Sequence, residues 1–130
     1  MRSDGDDRRQ VIVSGAELLE RLADEIVRSD RYGHPFTILT LRPPEHVRQL
    51  SAPSLDVVAN GLTRGCDVVC ILDSEPMVLV LLPETDVPGA AVLLERLREA
   101  FGDTESGWDY EILAYPQNKA QLRLLIKDAA

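Results

Sequence analysis

Apolar and polar positions change their period several times along the chain, and each change marks an element. From Ser14 onward Leu18, Leu19, Leu22, Ile26 and Val27 recur at helical spacing. Ser14 as N-cap with Glu17 three residues on makes a capping box, so a helix is expected from there to about Asp30. The segment Arg31-Tyr32-Gly33-His34-Pro35 ends it, because Gly33 can take the left-handed cap and Pro35 cannot continue a helix. The apolar, β-branched run FTILTL at 36–41 then predicts a strand, closed by Arg42-Pro43-Pro44. Two further runs rich in Val, Ile and Leu, at 68–72 and 77–82, flank the polar interruption Asp73-Ser74-Glu75-Pro76. Runs of that length and composition read as the paired strands of a hairpin, the expected centre of a sheet.

The remaining elements follow the same logic. Pro44 can open a short helical turn, since proline is tolerated at a first helical position. Ser54 is expected to cap a helix burying Leu55, Val58, Ala59 and Leu62, with Gly65 ending it and Arg64 near the negative end of its dipole. After the hairpin, Asp86 caps a helix with Pro88 in its first turn and Ala90, Leu93, Leu94, Leu97 and Phe101 inward. A polar loop at 102–107 leads to a strand from Trp108 with Tyr110, Ile112 and Ala114 on one side. Asn118 then caps a last helix with Leu122, Leu125, Ile126 and Ala129 at helical spacing. A short strand or lead-in is expected around Val11-Ile12-Val13. Residues 1–13 as a whole are expected to form a flexible N-terminal segment, because the first ten alternate acids with arginines and bury little.

Composition narrows the class. At 130 residues the chain is one domain by length and buries enough surface for a core without cofactors. A net charge of −8, with 14 basic residues scattered among 22 acidic ones, argues against nucleic-acid binding, which needs a concentrated cationic face. Neither membrane insertion nor a signal peptide is expected: the one long apolar stretch is divided at 73–76, and the first ten residues are highly charged. Cys66 and Cys70 lie four residues apart at or just before one strand, too far apart for a disulfide, and read as free thiols of a cytoplasmic protein. His34 and His46 show no metal or nucleophile pattern. Trp108, opening a strand, reads as a core-edge residue.

Order and motif together resemble one family. Arg64-Gly65-Cys66-Asp67, five apolar residues, the turn Asp73-Ser74-Glu75-Pro76-Met77, and a strand ending Leu82-Pro83-Glu84-Thr85-Asp86 resemble the signature hairpin of GGDEF domains, the diguanylate cyclase family. Upstream, a helix followed by RYGHP and an apolar strand is similar to the way those domains begin. Downstream, ILAYPQ and the last helix are similar to the way they close. The resemblance spans about residues 14–130 and implies an α+β fold, a GGDEF-like nucleotide-cyclase palm with a central, mainly antiparallel sheet flanked by helices. It also implies a bacterial signalling module.

The same resemblance implies altered chemistry. Joining two GTP molecules needs divalent ions held by carboxylates. Arg42 stands where the family has a metal-binding Asp, Glu75 is the nearest candidate for the second acid, and a cation repels the ion it would have to hold. Pro43 and Pro44 lack the backbone N–H groups that the family's turn offers to triphosphate. Asp73 and Ser74 put side chains where paired glycines let substrate approach, and the Asn-Asp and Tyr-Gly-His elements are missing from the segment after Pro44. The expectation is therefore a degenerate, non-catalytic regulatory domain, with neither cofactor nor metal, acting through a protein partner or self-association. The alternative is a receptor for cyclic di-GMP at Arg64 and Asp67, which match the family's inhibitory Arg-x-x-Asp site. An Arg fork reads guanine O6 and N7 or a phosphate, and a carboxylate accepts from guanine N1 and N2. A residual cyclase is the third reading. Without ligand, Arg64 is an ordinary helix end and Asp67 an ordinary turn residue.

Overall fold

A computed structural model describes residues 12–44, 68–72, 77–101 and 107–129. The first helix, α1 (Gly15–Tyr32), starts where the capping box places it: the Glu17 backbone N–H donates to Ser14 Oγ at 3.2 Å. It ends at Gly33, whose φ of 73° is the left-handed cap and whose N–H donates to the Ser29 carbonyl at 2.8 Å. Leu18 and Leu22 are buried and Ile26 half-buried. Val27, expected on the same face, is 56% exposed, and Glu25 is buried in its place at 8%. At 100° per residue, 18, 22, 25 and 29 form the inward row, and Val27 falls outside it.

Five strands make one sheet: β1 (Ile12–Val13), β2 (Phe36–Arg42), β3 (Val68–Leu72), β4 (Met77–Pro83) and β5 (Asp109–Tyr115), in the order β1-β3-β4-β2-β5. The four longer strands pair antiparallel, and β1 runs parallel to β3 with Ile12 opposite Val69. Ile12 and Val13, at the end of the segment expected to be flexible, are thus built into the sheet edge. The hairpin expected at the centre is present as β3 and β4, with Leu72 opposite Met77. Its neighbour on the far side is β2, which lies between β4 and β5.

Two helices of the last half complete three layers: α2 (Val87–Phe101) and α3 (Lys119–Ala129). Asp86 caps α2, accepting at Oδ1 from the Gly89 N–H at 2.9 Å. On one sheet face, Phe36, Ile38, Cys70, Leu79, Leu81, Leu113 and Tyr115 pack against Leu18 and Leu22 of α1 and Leu122 and Leu125 of α3. On the other, Leu39, Leu41, Val69, Val78, Val80 and Leu82 pack against Ala90, Leu93 and Leu97 of α2. Cys70 is wholly buried in the first of these clusters. Strands β2 and β4 are covered on both faces, in keeping with the unbroken apolar run of β4 and with a run in β2 whose two threonines, Thr37 and Thr40, are also buried. Each fully buried Leu or Ile side chain contributes about 1.5–3 kcal/mol.

Asn118 stands at the expected N-cap of α3, its carbonyl accepting from the Leu122 N–H at 3.0 Å, but its side chain takes a different partner. Its Oδ1 turns back to the strand and accepts from the Ala114 N–H at 2.8 Å, while its own N–H donates to the Ala114 carbonyl at 2.7 Å. Both main-chain groups of Ala114 are therefore tied to the start of α3. Tyr115 closes the same corner: its ring stacks on Phe36 at 5.0 Å and its hydroxyl donates to Asp30 Oδ1 at 2.8 Å, joining β5 to the last turn of α1. The expected helix over 54–62, together with Cys66, His46 and the turn after Pro44, lies outside the described residues. Among the described residues no helix is long and apolar enough to cross a membrane.

Candidate functional site

Arg64, Asp67, Asp73, Ser74, Glu75 and Pro76 lie outside the described residues, so the site is built from what adjoins them. Met77, the last of the five signature positions, is the first residue of β4 and is 1% exposed, a core side chain. Val68, which follows Asp67 directly, opens β3 opposite Leu81 and is 4% exposed. It forms part of the wall of a groove of about 410 Å³ bounded by α1 on one side and the ends of β3 and β4 on the other. That volume falls in the range of small-molecule sites, about 300–1,000 Å³.

The groove is polar because α1 turns one row of charges toward it. Arg21, Asp24, Glu25 and Arg28, spaced i, i+3, i+4 and i+7, line it together with Val68, Leu81, Pro83 and Glu84. The Arg21 guanidinium is 3.1 Å from Glu17 Oε2, and that of Arg28 is 3.6 Å from Glu25 Oε2. Glu84 is presented from a left-handed backbone, φ 51°, just beyond β4. The Thr85 hydroxyl bonds the Pro83 carbonyl at 3.0 Å in the same turn, and His34 Nδ1 lies 3.6 Å from Glu84 Oε1. Two forked cations and three carboxylates thus border a space beside the residue that follows the Arg-x-x-Asp motif. Guanidinium groups suit phosphate or the guanine O6/N7 edge, and carboxylates suit guanine N1 and N2. The charge row was present in the sequence at helical spacing, but only the packing of α1 against β3 shows which side of the helix borders the groove.

The position aligned with the family's metal ligand lies elsewhere. Arg42 is the last residue of β2, half-buried, in register with Asp109 of β5, and Pro43 and Pro44 follow it. Among the described residues no three His, Cys, Asp or Glu side chains are grouped to hold a metal ion. His34 sits near the Tyr32 ring, 5.9 Å between centroids, on the surface. Trp108 is half-buried and stacks with Tyr110 at 6.3 Å.

The sequence matches no family model and no curated protein. Its structure does match solved ones. A DGC protein from Thermotoga maritima superposes with a TM-score of 0.62 at 15% identity, over 92% of this chain and 95% of that one. PelD from Pseudomonas aeruginosa PAO1, in complex with c-di-GMP, gives 0.62 at 21% identity over 82% of this chain. The apo form of PelD from strain PA14 gives 0.63 at 22% identity over 88%. The chain spans 41% and 45% of the length of those two PelD structures. With the four long strands antiparallel and helices on both faces, this chain has the α+β fold of the DGC protein and of PelD.

Proposed function

We propose that this domain is a non-catalytic receptor for cyclic di-GMP, which binds at Arg64 and Asp67 and in the groove beside them. One observation carries the reading: Val68, the residue after Asp67 in the chain, lies in the groove wall, and α1 lines that groove with Arg21 and Arg28 alongside the carboxylates of Asp24 and Glu25. Arg21 and Arg28 would meet the phosphates of a dianionic ligand and the carboxylates its guanine N1 and N2. The fold likeness to PelD, solved with c-di-GMP, supports the same choice of ligand. Arg42 at the end of β2, followed by two prolines, supports the absence of cyclisation. A role through protein contact or dimerisation is the second reading, supported by Val27, Tyr32 and Leu124, which are 56%, 62% and 65% exposed.

Thermal melting with cyclic di-GMP tests the receptor. At 100 times its dissociation constant the ligand adds about 2.7 kcal/mol, which for a domain of this size is a shift of about 5–10 °C. Arg64→Ala and Asp67→Ala are expected to abolish the shift, and Arg28→Ala to reduce it. No shift in the parent protein, or one that survives both motif substitutions, overturns the proposal. Turnover of GTP with magnesium overturns its non-catalytic part.

A further inference from the structure

A second groove lies on the other flank of α1, between that helix and α3. Ile26, Tyr115, Leu122 and Ile126 form its apolar floor, and Lys119 and Arg123 stand at its rim. Its volume is about 160 Å³, well under half that of the polar groove. That is below the range of small-molecule sites, about 300–1,000 Å³, and leaves room for one large apolar side chain.

The charge around it is unlike the rest of the protein. The chain carries 22 acids against 14 basic residues, yet Lys119, Arg123 and Lys127 recur every four residues along α3, all exposed. The Lys119 ammonium lies 5.5 Å from the centre of the Tyr115 ring, and among the described residues neither it nor Arg123 forms an ion pair. Asp30, at the end of α1, accepts the Tyr115 hydroxyl. The rim is therefore cationic above an apolar floor.

We infer that this groove receives a segment of a partner protein that inserts one large apolar side chain between α1 and α3 and sets flanking carboxylates against Lys119 and Arg123. Size selects a single anchor rather than a free small molecule, and charge selects an acidic neighbourhood for that anchor. An apolar anchor in a pocket with charges at its rim is the usual division between binding energy and orientation. The site shares no lining residue with the cyclic di-GMP groove, so either reading can fail alone.

The test is amide and methyl NMR on the whole chain, titrated with an acetylated peptide carrying one phenylalanine flanked by glutamates. Saturable shifts at Ile26, Tyr115, Leu122 and Ile126 at about millimolar peptide or below are expected. The double variant Lys119→Glu, Arg123→Glu should weaken binding by about tenfold or more and prefer the same peptide with lysines in place of glutamates. Both substitutions are on exposed positions, and an unchanged amide spectrum elsewhere verifies the fold. No shifts in the parent protein, or equal response to the acidic and basic peptides, overturns the inference. Shifts of the same residues on concentrating the protein without peptide also overturn it, assigning the groove to a second copy.

Discussion

Replacing Asn118 by Ala removes one acceptor and leaves the surrounding main-chain bonds in place. The Asn118 N–H to Ala114 carbonyl bond, 2.7 Å, and the Leu122 N–H to Asn118 carbonyl bond, 3.0 Å, belong to the backbone and survive. What is lost is the 2.8 Å bond from the Ala114 N–H to Oδ1. Ala114 is only 6% exposed, so water reaches its amide poorly and the donor is left unsatisfied. A buried donor without a partner costs about 1–3 kcal/mol, against about 0.5–1.5 kcal/mol for an exchange that leaves both groups solvated. Taking about 2 kcal/mol, the melting temperature of a domain this size should fall by about 5–10 °C. Asn118→Asp retains an oxygen in the same place and serves as the comparison. Thermal and urea unfolding measure the loss, and hydrogen exchange at the Ala114 amide locates it, with protection expected to drop in the Ala variant alone. If Asn118→Ala and Asn118→Asp unfold together, or if Ala114 exchange is unchanged, the side-chain bond does not hold the corner.

Other outcomes follow from single contacts. Tyr115→Phe should cost about 1 kcal/mol at neutral pH through loss of the bond to Asp30, measured by urea midpoint. The hydrogen bond to Asp30 first, and burial second, raise the Tyr115 phenol above its ordinary 10.0, with Arg123 opposing them. A folded-state value above the unfolded one means that this contribution is complete below pH 10 and is lost as pH rises through the folded value. The parent should therefore lose its advantage over Tyr115→Phe in that alkaline window, and a pH-independent difference refutes the linkage. The Thr37 hydroxyl is fully buried with no hydrogen-bond partner among the described residues, so Thr37→Val should raise the unfolding free energy by about 1 kcal/mol, read as a higher urea midpoint at unchanged m; a decrease would reveal a partner. Gly33→Ala meets no atom within 4 Å, so its cost of about 1 kcal/mol is backbone strain at φ 73°, and thermal melting of the single variant checks it.

Periodicity read the helices and strands well where burial is two-sided. FTILTL and MVLVLL could be nothing but interior strands, and Ser14, Gly33 and Asp86 end or begin helices through bonds that act within three or four residues. Val27 and Glu25 show where the method fails. Glu25 lies on the inward row of α1 and Val27 two residues off it, on the solvent side; Glu25 is admitted because its carboxylate reaches Arg28. Asn118 was legible as the cap of a last helix, but the identity of its side chain's donor depends on how β5 meets α3. The candidate site divides in the same way. The motif Arg64-x-x-Asp67 is a sequence fact, whereas the place of Arg21 and Arg28 in the groove beside Val68 is fixed by the packing of α1 on β3, a relation of residues far apart in the chain.

Strand β2 lies between β4 and β5 although it precedes both in the chain. During synthesis at about 5–20 residues per second, on the order of 4–15 s separate the emergence of Arg42 from that of Tyr115. For about the first 2–8 s of it, until Pro83 emerges, the most apolar strand of the first half has neither neighbour complete, and until Tyr115 it still lacks β5, so an unpaired edge is open to other nascent chains. A product truncated before β4 would expose FTILTL permanently, so premature termination in this gene favours aggregation over a shortened folded domain.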